Sequence, residues 1–196
     1  MWCIRMATNQ IQIEQKGGGT MSKAVLISIR PKWCEKIVNG EKTIEVRKTK
    51  PKLETPFKCY IYCTRDKHLA FMQNQTGTNL IACMDVDAAI PVGGAIGNGK
   101  VIGEFTCERI ALIAYDGGEL SSTTNAAFSP ATCLTQSEII AYIGDKGRCY
   151  GWHISDLRIY DTPRELSEFQ RATDPCDSCH AEYTWECTDC KKWGGD

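Results

Sequence analysis

Only two stretches of this chain carry the spacing of a helix, and its other patterned segments alternate with the two-residue period of a strand. Pro31 is placed to open the first helix, with Trp33, Cys34, Ile37 and Val38 on one face and Gly40 as its stop. Thr135-Gln136-Ser137-Glu138 fits a capping box opening the second, which carries Ile139, Ile140 and Ile143. Helices so few and so short exclude a doubly wound α/β fold. The order of strand, helix, several strands, helix and strand predicts an α+β fold, a curled mixed or antiparallel sheet with peripheral helices.

The strands are read as follows. Residues 24–29 form a buried strand. Residues 43–48 set Ile44 and Val46 against Thr43, Glu45 and Arg47, the pattern of a half-buried strand with a polar face. Residues 58–64 place Tyr60 and Tyr62 opposite Cys59, Ile61 and Cys63, and residues 100–113 make one long strand or a bent pair. In residues 148–161 the apolar parity changes from Trp152 and Ile154 to Leu157 and Ile159, which predicts a bulge near Ser155-Asp156. A closing helical turn is expected over residues 163–169.

Between these elements the pattern lapses. Residues 66–99, rich in Gly, Asn, Asp and Gln, read as a variable insertion, and residues 116–133 as a second irregular stretch. Residues 1–22 read as a disordered leader, with Met21 as the expected true start because Lys16-Gly17-Gly18-Gly19 suits a translated ribosome-binding site. One domain over residues 23–170 and a Cys-rich tail over residues 171–196 complete the organisation. A chain of 196 residues, 42% hydrophobic, suffices for one such core and an appendage.

No stretch approaches the ~20 apolar residues of a membrane span, and the N-terminus lacks a secretory pattern, so a cytoplasmic protein without membrane contact is expected. The net charge of −1 hides an asymmetry. Residues 23–67 hold twelve Lys/Arg against five Asp/Glu (+7), leaving eleven against nineteen (−8) elsewhere. That concentration suits one polyanion-facing surface, although lysines solvating exposed strands and loops would look the same.

The densest motif is Gly40-Glu41-Lys42-Thr43-Ile44-Glu45-Val46-Arg47. Glu45 and Arg47, two residues apart on a strand, project from one face, whereas Lys42 reaches that face only from the preceding turn. Together they would make a polar pocket for a phosphate and a base edge, or a surface ion pair of little consequence. The octapeptide resembles the Gly-x-Lys-x-x-Glu-x-Arg signature of ASCH domains (activating signal cointegrator homology), members of the PUA-like class. The resemblance extends through Lys100-Val101-Ile102-Gly103-Glu104-Phe105 and Tyr150-Gly151-Trp152-His153-Ile154.

The resemblance implies a small PUA-like β-barrel with peripheral helices and a cleft that binds RNA or a modified base. The residues expected there are Arg30, Lys32, Trp33, Lys42, Glu45, Arg47 and Lys48. Some small bacterial relatives hydrolyse acetylcytidine with a Lys and a Thr of this motif and a later Glu. Lys42 matches the Lys, but Glu45 stands in the place of the Thr, and Ala131, Thr132 and Cys133 stand where the Glu is expected. The leading reading is therefore a non-catalytic RNA-binding module. A hydrolase of a modified nucleoside or an RNA phosphodiester, with Lys42 and Glu45 catalytic, is the first alternative. A protein-interaction adaptor in transcription or RNA metabolism is the second.

Twelve cysteines in a reducing compartment read as thiols or metal ligands. Cys176-x-x-Cys179 and Cys187-x-x-Cys190 are spaced to clamp one structural Zn²⁺ in a knuckle-like extension, in competition with two reducible disulfides or an unstructured tail. The other eight read as core thiols. Gly94-Ala95-Ile96-Gly97-Asn98-Gly99-Lys100 lacks the following Ser/Thr and helix of a phosphate-binding loop and is assigned to a loop. His153 reads as a hydrogen-bonded strand histidine rather than a catalytic one.

Overall fold

A computed structural model describes residues 11–14, 24–74, 81–85, 94–122 and 130–171. Its strands in chain order are β1 (Ile11–Glu14), β2 (Ala24–Ile29), β3 (Ile44–Arg47), β4 (Phe57–Cys63), β5 (Leu69–Asn74), β6 (Ile81–Asp85), β7 (Gly94–Ile96), β8 (Lys100–Tyr115), β9 (Leu120–Ser122), β10 (Arg148–Glu165) and β11 (Gln170–Arg171). Helix α1 (Pro31–Val38) follows β2, and α2 (Gln136–Ile143) precedes β10. The fold is α+β, as expected.

The main sheet runs in the order β11-β1-β2-β4-β8-β10-β3, with β9 added to β8. It is mixed: β2 and β4 are parallel, and the other pairs are antiparallel. The sheet does not close among the described residues, because its end strands β3 and β11 pair on one side only. The expected barrel is corrected to an open ladder. Irregularities in the β10–β8 register fall between Trp152 and Ile154, between Ser155 and Arg158, and between Ile159 and Arg164. The middle one includes Asp156 at φ +47°, the position where the change of apolar parity predicts a bulge.

Strand β4 separates two clusters. Cys59, Ile61 and Cys63 face the main core with Val25, Ile27, Ile29, Phe105 and Trp152, while Tyr60, with Tyr62 packed beside it, faces Ala24, Leu26, Val101 and Tyr160. The alternation read from residues 58–64 is thus the alternation of two packed faces. Cys34 and Ile37 of α1 complete the main core. Pro31 opens that helix, and Gly40, at φ +74°, takes the left-handed conformation that turns the chain toward β3. On the far side, Ile139 and Ile143 of α2 pack on Val46, Ile113 and Cys149. The capping box is formed: Thr135 accepts from the Glu138 N–H at 3.2 Å, and Glu138 accepts from the Thr135 N–H at 2.8 Å.

The structure departs from the pattern-based reading in five further places. Residues 66–99 contain β5, β6 and β7, a separate three-stranded antiparallel sheet whose Ala70, Phe71 and Met72 are buried. The Gly- and Asn-rich connections had masked this short apolar run. Residues 11–14, expected to be part of an unfolded leader, pair with β2 and β11. The stretch 116–133 contains β9, and the closing turn is limited to a 3-10 turn at Leu166–Glu168 because β10 continues through Pro163. Finally, β3 is buried on both faces rather than half-buried.

Buried thiols at Cys34, Cys59, Cys63, Cys107 and Cys149 agree with the core-thiol reading. Burial pushes the Cys149 thiol up to about 11 and the Cys107 thiol up to about 12, so both are inert at neutral pH. Cys176, Cys179, Cys187 and Cys190 lie outside the described residues. Among the described residues no helix is long and apolar enough to cross a membrane.

Candidate functional site

Strand β3 is the last strand of its end of the sheet, paired only with β10. With Val46 directed at α2, Glu45 and Arg47 project on the opposite face, toward α1 and β2. There they are covered: Glu45 is 7% exposed and Arg47 9%. The polar face that pattern alone places in solvent is a buried ionic cluster.

Lys42, 2% exposed, enters the cluster from the turn before β3, as strand parity requires. Two backbone bonds pin that turn. The Lys42 N–H donates to the Lys36 carbonyl and the Thr43 N–H to the Ala131 carbonyl, each at 2.9 Å. The Lys42 ammonium donates to the Thr132 carbonyl at 2.6 Å and lies 3.5 Å from Glu45 Oε2. On the other carboxylate oxygen, Arg47 Nε lies 3.1 Å from Glu45 Oε1, and the Arg47 terminal NH2 donates to the Ser28 carbonyl at 2.6 Å. Two cations therefore share one carboxylate, and carbonyls of Ser28 and Thr132 supply the remaining negative ends.

Aromatic rings border the cluster. The Lys42 ammonium sits 5.2 Å from the Trp33 ring centroid, and exposed Lys32 sits 4.7 Å from the same ring. Lys48 lies 5.1 Å from the Tyr142 ring of α2. Burial raises the Tyr142 phenol above its ordinary range; the neighbouring Arg47 opposes that rise and Glu45 adds to it. Trp33, at the half-buried edge of the core, and Tyr142 thus flank the ion cluster from α1 and α2.

Of the seven residues expected at the site, Lys32, Trp33, Lys42, Glu45 and Arg47 are brought together and Lys48 borders them on the α2 side. Arg30 is not part of the cluster. It is exposed at the start of α1 and acts on Asp66, whose carboxyl is held low chiefly by the His68 N–H, with smaller help from the Leu69 N–H, His68 and Arg30. Sequence reasoning missed Thr132 and Ser28, which act through backbone carbonyls that side-chain identity does not reveal. It also missed Tyr142, for which an aromatic on the exposed side of the α2 pattern was the available signal.

His153, next to Trp152 on β10, has no hydrogen-bond partner at its buried Nε2, so the bond expected of a strand histidine is not made at that nitrogen. Burial, then Arg109, lower its pKa below the ordinary imidazole value. Among the described residues no group of three or more His, Cys, Asp or Glu is placed to hold a metal ion.

No protein-family model matches the chain, and no curated protein does. Two solved structures resemble it: the ASCH protein of Zymomonas mobilis, 20% identical, covering 73% of each chain at a TM-score of 0.47, and a Tyr-to-Phe variant of that protein, 19% identical, covering 73% of this chain and 76% of the other at the same score. ASCH is also the family whose signature residues 40–47 resemble. At this degree of likeness, what the site does has to be read from its own residues.

Proposed function

We propose that the chain is a nucleic-acid-binding module, most simply for RNA, that holds a base, modified or not, at the cluster of Lys42, Glu45 and Arg47. The observation that carries this reading is the charge of that cluster. Among the described residues, two cations and one carboxylate, each no more than 9% exposed, leave a net positive charge met only by backbone carbonyl dipoles. Such an excess is costly unless an electron-rich group completes it. Trp33 offers a ring on which a base can stack, and Lys32 and Lys48 offer phosphate contacts around it.

The same geometry favours binding over catalysis. A general base has to reach the reacting proton, and each oxygen of Glu45 lies within 3.5 Å of a cation that a substrate would have to displace. Hydrolysis through Lys42 and Glu45 would require breaking these pairs first.

The test is affinity for short RNA and DNA at two salt concentrations. Binding should weaken as salt rises, and Lys32→Gln should lower the slope of log affinity against log salt by about one. No binding at low salt, or affinity indifferent to salt, overturns the reading.

A further inference from the structure

The antiparallel register of β3 and β10 sets Trp152 directly opposite Glu45, and Tyr150 opposite Arg47. Residues opposite one another in such a pair share a face of the sheet, so the Trp152 indole belongs to the side that carries the ion cluster. Its surroundings agree: Trp152 packs edge-on to Phe57 at 5.7 Å and shares the main core with Cys34 and Ile37 of α1.

Trp152 is 1% exposed, and its buried Nε1 has no hydrogen-bond acceptor among the described residues. A buried indole N–H ordinarily has a partner, so an orphan calls for an explanation. A second orphan donor stands on the same face. Arg47 Nε, although 3.1 Å from Glu45 Oε1 as an ion pair, makes no aligned hydrogen bond. Neither donor is needed by the hydrophobic packing around it; a phenylalanine and a methionine would pack there without the polar cost. Both are suited to one kind of visitor, an oxygen that accepts hydrogen bonds and carries no proton.

We infer that Trp152 and Arg47 form the base-reading part of the site, donating together to the keto oxygen of a nucleobase such as uracil. The inference rests on the nucleic-acid-binding reading and narrows it. Where uracil would set its keto oxygen against the two orphan donors, adenine would set an exocyclic amino group, a donor facing donors. Discrimination then comes from leaving buried donors unpaired with the wrong base, which is how a polar site rejects an analogue most strongly. Phosphate oxygens are acceptors too, but every RNA brings the same phosphates, so a preference between bases isolates the keto contribution.

The experiment compares oligo(U) with oligo(A) of equal length against the full chain at low salt. Oligo(U) should bind about tenfold tighter, the cost of one or two unmade hydrogen bonds, and Trp152→Phe should bring oligo(U) down to the level of oligo(A). A third ligand tests the unaltered protein in case that variant does not fold. Oligo(U) with sulfur in place of each keto oxygen presents a poorer acceptor and should lose most of the preference. Equal binding of U and A, a preference that survives in folded Trp152→Phe, or full retention of affinity by the thio ligand overturns the inference while leaving the nucleic-acid reading standing. Failure to bind any of the three ligands overturns both.

Discussion

The two faces of β3 contrast within four residues. Val46 points at α2 and meets Ile113, Ile139, Ile143 and Cys149, an apolar layer with nothing left to satisfy. Glu45 and Arg47 point the other way and meet each other, Lys42 and two backbone carbonyls. Both faces are equally dry, so burial alone does not distinguish them. The difference is in what burial achieves: the α2 face gains stability from transfer out of water, and the α1 face spends stability to hold charge in place. A strand at the end of a sheet that is apolar on one side and ionic on the other joins a scaffold to the surface proposed to bind.

The largest effect should come from breaking the ionic face at its centre. Glu45→Ala leaves Lys42 and Arg47 buried without their shared partner, and unfolding in urea should show a loss of about 3 kcal/mol or more. Replacing the whole cluster, as Lys42→Met, Glu45→Gln and Arg47→Met together, should recover much of that loss while abolishing nucleic-acid binding. If the triple variant binds as well as the unaltered chain, the cluster is structural and the contrast between the faces fails.

The apolar face should behave in the opposite way. Ile139→Ala removes a fully buried side chain from the α2 layer and should cost about 2 to 4 kcal/mol. Affinity for RNA, measured below the unfolding transition, should remain that of the unaltered chain. A parallel loss of affinity would mean that α2, through Tyr142 and Lys48, is part of the reading surface rather than its support.

How far this division could be seen in the sequence depends on the range of the interactions. The capping box at Thr135, the helix opened by Pro31, the two faces of residues 58–64 and the slip at Ser155-Asp156 are set by neighbours in the chain, and each is found where periodicity or local chemistry places it. The burial of Glu45 and Arg47 is not local. It depends on α1 and β2 folding over a face whose residue types suggest solvent, with carbonyls of Ser28 and Thr132 completing the shell. The partnership of Trp152 with Glu45 requires the β3–β10 register, across a separation of more than a hundred residues. The small sheet of β5, β6 and β7 was obscured because its apolar residues run consecutively, as in Leu69-Ala70-Phe71-Met72, rather than alternating, and polar stretches separate the strands.

A smaller effect concerns His153, one residue from the inferred reading group and on the opposite parity of β10. Its Nε2 is buried without a partner, and burial together with Arg109 lowers its pKa in the folded chain, with Glu108 opposing weakly. The unfolded chain therefore takes up the proton more readily. Stability contributed by the neutral imidazole is fully present above the unfolded value of about 6.5 and is lost as pH falls below it, until the folded group also protonates. Urea midpoints measured from pH 7.5 down to pH 5 should decline, and His153→Phe, which has no proton to gain, should reduce the decline. Carboxylates such as Glu104, which Lys58 and the Tyr160 hydroxyl hold low against the opposing effect of burial, also lose stabilising charge in acid, but in a lower range. A variant whose profile between pH 7 and pH 5.5 matches the unaltered chain would show that His153 titrates in the fold as it does in water, and would place the acid sensitivity of the β10 strand elsewhere.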